Sequence, residues 1–375
     1  MRVAVDSTPL LNQRTGIGQY TYYLVNNLLD VGNDLELVLF CTSLRKSAPL
    51  AEIIPKRPHL AYADYRFPAR AMQKLWRTIG VPRVEFFTGK IDIFHATNFI
   101  APPQRAGRLI LTIHDVGFAR MPAEHPEATR AYAGSLPQEI SRADKVIAVS
   151  DFTKDEVIDV LGVPEQKVTV IHNGVAPAFH VIENDRVRDV LDKYGISKKY
   201  ILFVGKIEAR KNLSGIIDAF EIFKSKSKFE HQLVLVGSLG WRGQEAFDKI
   251  ASYSLEEQVM HLGYVADEEL PLLMGGADVF LYPSLYEGFG IPPLEAMACG
   301  TPVVASKTTS LPEVIGDAGV LVDPHSPDEI ADALTEVLSD SGLRNHLIER
   351  GLKRAARFTW AKTAEKTLRL YEEVL

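Results

Sequence analysis

The sequence predicts an α/β protein made of two doubly wound parallel-sheet domains, and three observations carry that expectation. Twelve short apolar runs of strand length alternate with longer stretches of helical period. The runs are apolar on both faces, as parallel strands covered by helices require. The chain has 375 residues, more than one such sheet needs at about 100–200 residues per domain.

In chain order, the first half offers strands at 2–6, 35–40, 91–95, 108–113, 144–150 and 167–174. The second offers 199–205, 232–237, 259–265, 278–284, 302–306 and 319–324. The pattern breaks after His172-Asn173-Gly174 into Val-Ala-Pro-Ala-Phe, and Pro177 marks a linker before a charged helix that starts near Glu183. This divides the chain into an N-terminal domain, 1–176, and a C-terminal domain from 177. The halves look like two copies of one architecture without a sequence repeat. In such sheets ligands bind beyond the carboxyl ends of the strands, so the loops there are where chemistry is expected.

Composition excludes several classes. Hydrophobic residues are 46% and charged residues 24%, ordinary for a globular chain and wrong for disorder, collagen or coiled coil. The net charge of −6 argues against a general nucleic-acid binder. The charge is uneven: residues 1–175 carry 20 Lys+Arg against 18 Asp+Glu, the remainder 22 against 30. The N-terminal half is therefore the one expected to meet an anionic surface. Cys41 and Cys299 are too far apart in sequence for a thiolate metal motif or a disulfide framework. No apolar run approaches the roughly 18–20 residues of a membrane span. Asp6 and Pro9 interrupt what would be a signal-peptide core, so a cytoplasmic protein with a mature start is expected.

Five strand-end segments carry the candidate residues. In LYPSLYEGFGIPPLEAMACG (281–300), Glu287 precedes Gly288-Phe289-Gly290-Ile291, prolines 292 and 293 fit a first helical turn, and Glu295 follows one turn in. A glycine loop entering a helix presents N–H groups and a positive dipole end to phosphate. Flanking carboxylates accept hydrogen bonds from sugar or ribose hydroxyls. In VGKIEARKN (204–212), Lys206, Arg210 and Lys211 gather ahead of Asn212, which suits an N-cap, again a diphosphate chemistry. In the long first loop, Gly16-Ile17-Gly18 opens a helix but lacks the tight G-x-G-x-x-G of a dinucleotide site. His114-Asp115 follows the strand RLILTI, and Asn173 ends the last strand of the half. No D-x-D occurs, so no acidic metal-diphosphate motif is present.

Together these segments resemble the retaining glycosyltransferases of family 4. The motifs are the E-x7-E of Glu287 and Glu295, the G-x-x-E-x-R-K-N of Gly205 to Asn212, the glycine loop and the Ile-His-Asp strand end, all in family order. Nearly the whole chain takes part. The resemblance implies the GT-B fold, with two Rossmann-like domains facing a cleft. The C-terminal domain ends at 357, and the final helix in 358–375 crosses back to the N-terminal domain. It implies a nucleotide-diphosphate sugar held by the C-terminal domain, with Glu295 on the ribose, Lys211 with Lys206 or Arg210 on the diphosphate, and Glu287 and the Gly288–Ile291 turn on the sugar. His114 would contact the sugar, and Gly16, Gly18 and Asn173 would border the donor. No metal or other cofactor is implied.

The overall look is closest to bacterial mannosyl- or rhamnosyltransferases of surface-polysaccharide and lipopolysaccharide assembly, which favours a GDP-hexose donor and a saccharide or lipid-linked saccharide acceptor. A UDP- or ADP-sugar donor, a nucleotide-sugar epimerase and a non-catalytic nucleotide-sugar binder are the alternatives, and the missing fingerprint disfavours an NAD enzyme. Residues 66–83, RFPARAMQKLWRTIGVPR, carry Arg66, Arg70, Lys74, Arg77 and Arg83 with no acid, beside Phe67, Met72, Leu75, Trp76 and Ile79. This basic amphipathic pattern suits peripheral contact with the inner face of an anionic membrane. Oligomeric state is not readable.

Overall fold

The computed structural model describes the chain except residues 12–15, 33, 45–47, 128–135 and 183, and the side chains of 69, 70 and 184. Part of the first glycine loop, the Glu183 helix start and the Arg70 side chain thus lie outside the described residues. The chain forms two compact units: Met1–Ala119, Glu127–Gly174 and Trp360–Leu375 make the first, Arg120–Pro126 and Val175–Thr359 the second.

The first unit is built on a seven-stranded parallel sheet. Its strands are β1 (Arg2–Asp6), β2 (Glu36–Thr42), β3 (Leu60–Tyr65), β4 (Ile93–Ala96), β5 (Arg108–Ile113), β6 (Lys145–Ala148) and β7 (Val168–Val170), in the spatial order β3-β2-β1-β4-β5-β6-β7. The second unit has six parallel strands: β8 (Tyr200–Val204), β9 (Gln232–Val236), β10 (Val259–Gly263), β11 (Val279–Tyr282), β12 (Val303–Ser306) and β13 (Val320–Val322), in the order β10-β9-β8-β11-β12-β13. Central strands such as β4, β8 and β11 are buried along their whole length, which explains why they are mostly aliphatic and aromatic, with His95 of β4 the one strongly polar side chain among the three. The edge strand β3 has no apolar run: Leu-Ala-Tyr-Ala-Asp-Tyr alternates small with aromatic residues and is only half covered.

Helices close the faces. The helix Gly16–Val31 buries Tyr20, Leu24, Val25 and Leu28, one stripe at helical spacing. The final helix, Trp360–Val374, belongs to the first unit and buries Trp360, Ala364, Thr367 and Tyr371. Trp360 stacks on Tyr23 (5.4 Å between centroids, 17°), and Thr363 donates to the His172 carbonyl at 2.8 Å. The helix Asp151–Leu161 starts at an N-cap, Ser150, whose oxygen accepts from Thr153 N–H, and ends at Gly162 with φ 66°. Among the described residues no helix is long and apolar enough to cross a membrane.

Both sheets reverse direction once. The chain runs outward from β1 to β3 and returns on the other side of β1 as β4. It runs outward from β8 to β10 and returns beside β8 as β11. Loops leaving two neighbouring strands in opposite senses open a crevice at these switch points. In the second unit those loops are Gly205–Asn212 and Pro283–Gly290, the two segments richest in candidate residues.

Candidate active site

Beyond β8, a 3₁₀ turn, Ala209–Lys211, lifts the lysine out of the strand plane. Asn212 follows at φ 61° and does not cap the helix Leu213–Lys226 with its side chain. The left-handed conformation swings that amide away, and its Nδ2 donates to the carbonyls of Pro283 (3.1 Å) and Pro324 (2.6 Å). Asn212 therefore ties the two switch-point loops together, a different role from the N-cap expected.

Lys211 is buried. Its ammonium donates to Tyr282 Oη at 2.7 Å and to Glu287 Oε1 at 2.5 Å, and lies 5.1 Å from the Tyr282 ring centroid. Arg210 Nε donates to Glu208 Oε1 at 2.7 Å and its Nη1 to the Tyr286 carbonyl at 3.2 Å, and Nη1 lies 3.5 Å from Glu287 Oε2. Glu287 is thus a buried carboxylate facing two cations. Burial pushes its pKa up, but Lys211 and Arg210 overcome that and hold it below the ordinary range. Lys211 moves down instead, because burial and the Arg210 charge outweigh its pairing with Glu287. An ammonium carries three N–H bonds, and the Tyr282 and Glu287 bonds occupy two. Lys206, by contrast, is exposed. The expected trio of cations is therefore divided: Arg210 and Lys211 are built into a carboxylate cluster, and Lys206 stands apart.

The turn after Glu287 is held from one side by Ser310, whose single O–H is shared between the carbonyls of Glu287 (2.9 Å) and Phe289 (3.0 Å). Gly288, Phe289 and Gly290 are buried. Gly290 needs its identity: at φ 97° an added Cβ would fall 2.5 Å from Leu311 Cδ2. The helix Ile291–Ala298 follows, and because Pro292 and Pro293 have no N–H, the donors of its first turn reduce to Gly290 and Ile291. The N-terminal dipole end of this helix thus presents two donors beside the carboxylate cluster and one turn before a second acid.

Glu295 lies on the next turn, partly covered. Burial and the Asp267 charge raise its pKa to about 8. The two acids of the E-x7-E segment thus stand in opposite states at neutral pH: Glu287 ionised, Glu295 protonated and able both to donate and to accept. A vicinal diol has the same dual capacity. Because the folded state keeps this proton over a window where the unfolded chain releases it, stability falls as pH rises from about 4.5 to 8. Glu295→Gln removes that loss. Allowing for partial solvent screening, it adds roughly 2–4 kcal/mol at pH 8.5, or about 5–10 °C in melting temperature, and near pH 5 the variant and the parent melt together. Melting curves at the two pH values check this; a gain independent of pH contradicts it.

The remaining candidates lie in the first unit. At its switch point the Thr97 hydroxyl, just past β4, donates to the backbone carbonyl of Asp6 at the end of β1 (2.7 Å), and the Thr97 carbonyl accepts from His114 Nε2 at 2.9 Å. A carbonyl only accepts, so Nε2 carries the proton. Burial lowers the His114 pKa despite that bond and the Asp115 charge. The ring is then neutral, with Nδ1 as a lone-pair acceptor. Tyr20 meets the ring edge-on at 4.8 Å. Its hydroxyl joins a buried chain: Thr112 (3.0 Å), His95 Nε2 (2.8 Å from Thr112) and Tyr371 (2.6 Å from His95 Nδ1). Burial and the nearby His114 hold His95 down to about 3, so the chain is uncharged.

Gly16 opens its helix with no atom of the described residues within 4 Å of where a Cβ would lie, and Gly18 is buried in the same turn. Asn173 is buried, with no partner for its Oδ1 among the described residues. Sequence reasoning assigned no role to Tyr282, Glu208, Ser310, Asp6 or Thr97. Glu208 lies inside the basic motif and was the one open to discovery. Tyr282 reads as an ordinary strand residue, and Asp6, raised to about 6 by burial, as a plain strand end.

Comparison with known proteins agrees with this architecture. The family model for group 1 glycosyl transferases matches residues 188–354, and that for Glycosyltransferase Family 4 matches 14–179. The chain is 31% identical to the O-antigen chain mannosyltransferase B of Escherichia coli, over 99% of this chain and 100% of that protein. It is 33% identical to the serotype-specific mannosyltransferase WbdA of Escherichia coli over 63% of this chain, which spans 30% of that longer protein. Among solved structures, the sucrose-phosphate synthase of Thermosynechococcus elongatus has a TM-score of 0.80 at 21% identity, covering 100% of this chain and 98% of that one. Anabaena HepE in complex with UDP and glucose has a TM-score of 0.75 at 21% identity, covering 100% of both chains. These structural likenesses concern the fold, which is the two-domain GT-B arrangement. The chain is a glycosyltransferase and belongs to the group 1 glycosyltransferases of family 4.

Proposed function

We propose that this protein transfers a mannose-series hexosyl group, with retention of configuration, from a GDP-sugar to a saccharide carried on a lipid during surface-polysaccharide assembly. The observation that carries the reaction is the buried Lys211–Glu287–Arg210 cluster at the β8/β11 switch point. The full-length likeness to an O-antigen chain mannosyltransferase supports mannose as the sugar. Retention, the donor nucleotide and metal independence rest on the site chemistry and on the family motifs.

In this reading Glu295 takes the ribose diol. The third N–H of Lys211, the exposed Lys206 and the N–H groups of Gly290 and Ile291 receive the diphosphate. Glu287, fixed by Lys211 and Arg210, accepts hydroxyls of the transferred sugar. By the family motifs, the first unit offers a hydroxyl-bearing ligand the lone pair of His114 Nδ1 and the bare backbone of Gly16. The bond from the anomeric carbon to the diphosphate oxygen breaks. The acceptor oxygen bonds to the same carbon on the same face, and its proton passes to the departing phosphate. The protein supplies preorganised positive charge where the leaving group becomes negative, so no step calls for a metal ion.

A thermal-shift series with GDP, UDP, ADP and NAD⁺ at equal excess tests the donor. A ligand at about 100 times its dissociation constant adds about 2.7 kcal/mol to the folded state. A shift selective for GDP is expected. A UDP- or ADP-selective shift overturns the GDP assignment and keeps the enzyme class, and a shift with NAD⁺ alone overturns the site.

A further inference from the structure

We infer that Thr309 is a positioning residue for Glu287, holding from the neighbouring strand-end loop the peptide that carries its carboxylate. This rests on the reading that Glu287 receives hydroxyls of the transferred sugar. Thr309 lies between β12 and the helix Leu311–Ile315, at φ 59°. A β-branched residue is a genuine outlier in the left-handed region, whereas glycine takes that conformation without strain. Such strain persists only where the surroundings over-determine it, and it gathers at functional sites. What threonine supplies here and glycine cannot is a hydroxyl: Thr309 Oγ1 accepts the Glu287 N–H at 3.3 Å.

The bonds around Glu287 show why that hydroxyl counts. The loop 283–290 is gripped from two sides. From the β8 side, Asn212 reaches the Pro283 carbonyl, the Arg210 carbonyl accepts from the Leu285 N–H at 2.9 Å, and Arg210 Nη1 reaches the Tyr286 carbonyl. From the β12 side, Ser306 Oγ donates to the Ser284 carbonyl, and Ser310 shares its O–H between the Glu287 and Phe289 carbonyls. Among the described residues, Thr309 is the one partner of the Glu287 N–H. Glu287 is buried, so an unmatched N–H there is costly.

Two consecutive residues thus hold both polar backbone groups of Glu287: Thr309 takes its N–H and Ser310 meets its C=O. With both fixed, the Cα–Cβ direction is set, and the carboxylate is delivered to Lys211 and Arg210. A misplacement of about 1 Å in a substrate-positioning group costs about 10²-fold in rate, so a bond made behind the carboxylate still shows in turnover.

Three variants, assayed with GDP-mannose and a saccharide acceptor, test this. Thr309→Ser keeps the hydroxyl and should turn over within about 2-fold of the parent. Thr309→Val keeps the branched shape and loses the hydroxyl, so kcat should fall at least ~10-fold while the donor KM changes less than ~3-fold. Thr309→Gly loses the hydroxyl but relieves the strain, so it should melt close to the parent and still lose at least ~10-fold in kcat. It carries the test if the valine variant does not fold. In a Glu287→Gln background, Thr309→Val should add less than ~2-fold, because a residue acting through Glu287 then has nothing left to position. Parent turnover in the valine or glycine variant overturns the inference. So does a serine variant as impaired as the valine one, or an equal loss in both backgrounds. Exchange of the Glu287 amide hydrogen reads the bond without substrate: slow in the parent and the serine variant, faster in the other two. Equal exchange in all four also overturns the inference. Parent turnover in Glu287→Gln strikes the reading of the site and the inference with it. Absence of transfer from GDP-mannose by the parent strikes only the donor assignment, and amide exchange then still tests the clamp.

Discussion

Lys211→Ala lowers turnover by at least 10²–10³-fold, because it removes a preorganised cation from the site of leaving-group charge. It also destabilises the second unit. Glu287 stays buried with only Arg210, at 3.5 Å, as counter-ion, and breaking a buried pair costs about 3–5 kcal/mol. Since Arg210 remains, about 3 kcal/mol is expected, a fall of roughly 6–12 °C in melting temperature. Lost activity and lost stability are separable. The double variant Lys211→Met/Glu287→Gln has no unpaired buried charge, and replacing a buried ion pair with neutral groups is often neutral for stability. It should melt near the parent and remain as inactive as the single variant. Near-normal turnover in Lys211→Ala, or activity returning with stability in the double variant, contradicts the assignment.

Gly237→Ala is expected to disable the same site from a distance. Gly237 follows β9 directly at φ 141°, and a Cβ there would lie 1.9 Å from the Gly205 carbonyl oxygen and 2.7 Å from its carbon. Backbone cannot turn aside as a side chain does. Gly205 N–H donates to Val236 O at 2.9 Å and Gly237 N–H to Gly263 O at 2.7 Å, so the strand ends β8, β9 and β10 are laced together, and the collision pushes on the loop bearing Lys206 to Lys211. Left-handed strain of about 1–3 kcal/mol adds to overpacking of about 1–3 kcal/mol. The melting temperature should fall by roughly 5–15 °C, with nucleotide affinity falling too. Gly162→Ala is the control. Its φ is 66° but no atom of the described residues lies within 4 Å of its Cβ position, so only the conformational cost of about 1 kcal/mol applies. Equal effects in the two variants would mean that strain alone, without the clash, accounts for the loss.

Much of this was legible in the sequence, for identifiable reasons. Parallel strands buried on both faces write themselves as apolar runs, so the double sheet and the strand-end loops could be read before any geometry. β3 could not, because an edge strand half covered by its neighbours needs no apolar run. Motif spacing indicated that Glu287, Lys211 and Glu295 matter, and nothing in spacing indicated that Lys211 and Glu287 pair. That pairing depends on β8 lying beside β11, a tertiary fact. Asn212 shows the same limit. Its type favours a helix cap, but the left-handed backbone at that position sends the amide to Pro283 and Pro324. The basic amphipathic helix was read correctly as basic. Trp76 is turned inward, its Nε1 donating to the Pro82 carbonyl at 3.0 Å, a partner outside the helix's own period.

The central claim is that the Lys211–Glu287 site moves a hexosyl group from a nucleotide-diphosphate sugar with its configuration retained. Its most direct test is the NMR spectrum of the purified product formed from GDP-α-mannose and a saccharide acceptor, read at the new anomeric centre. An α-linked mannosyl product, absent with Lys211→Ala, is the result this account predicts. A β-linked product, or GDP-sugar converted with no new glycosidic bond to the acceptor, would contradict it.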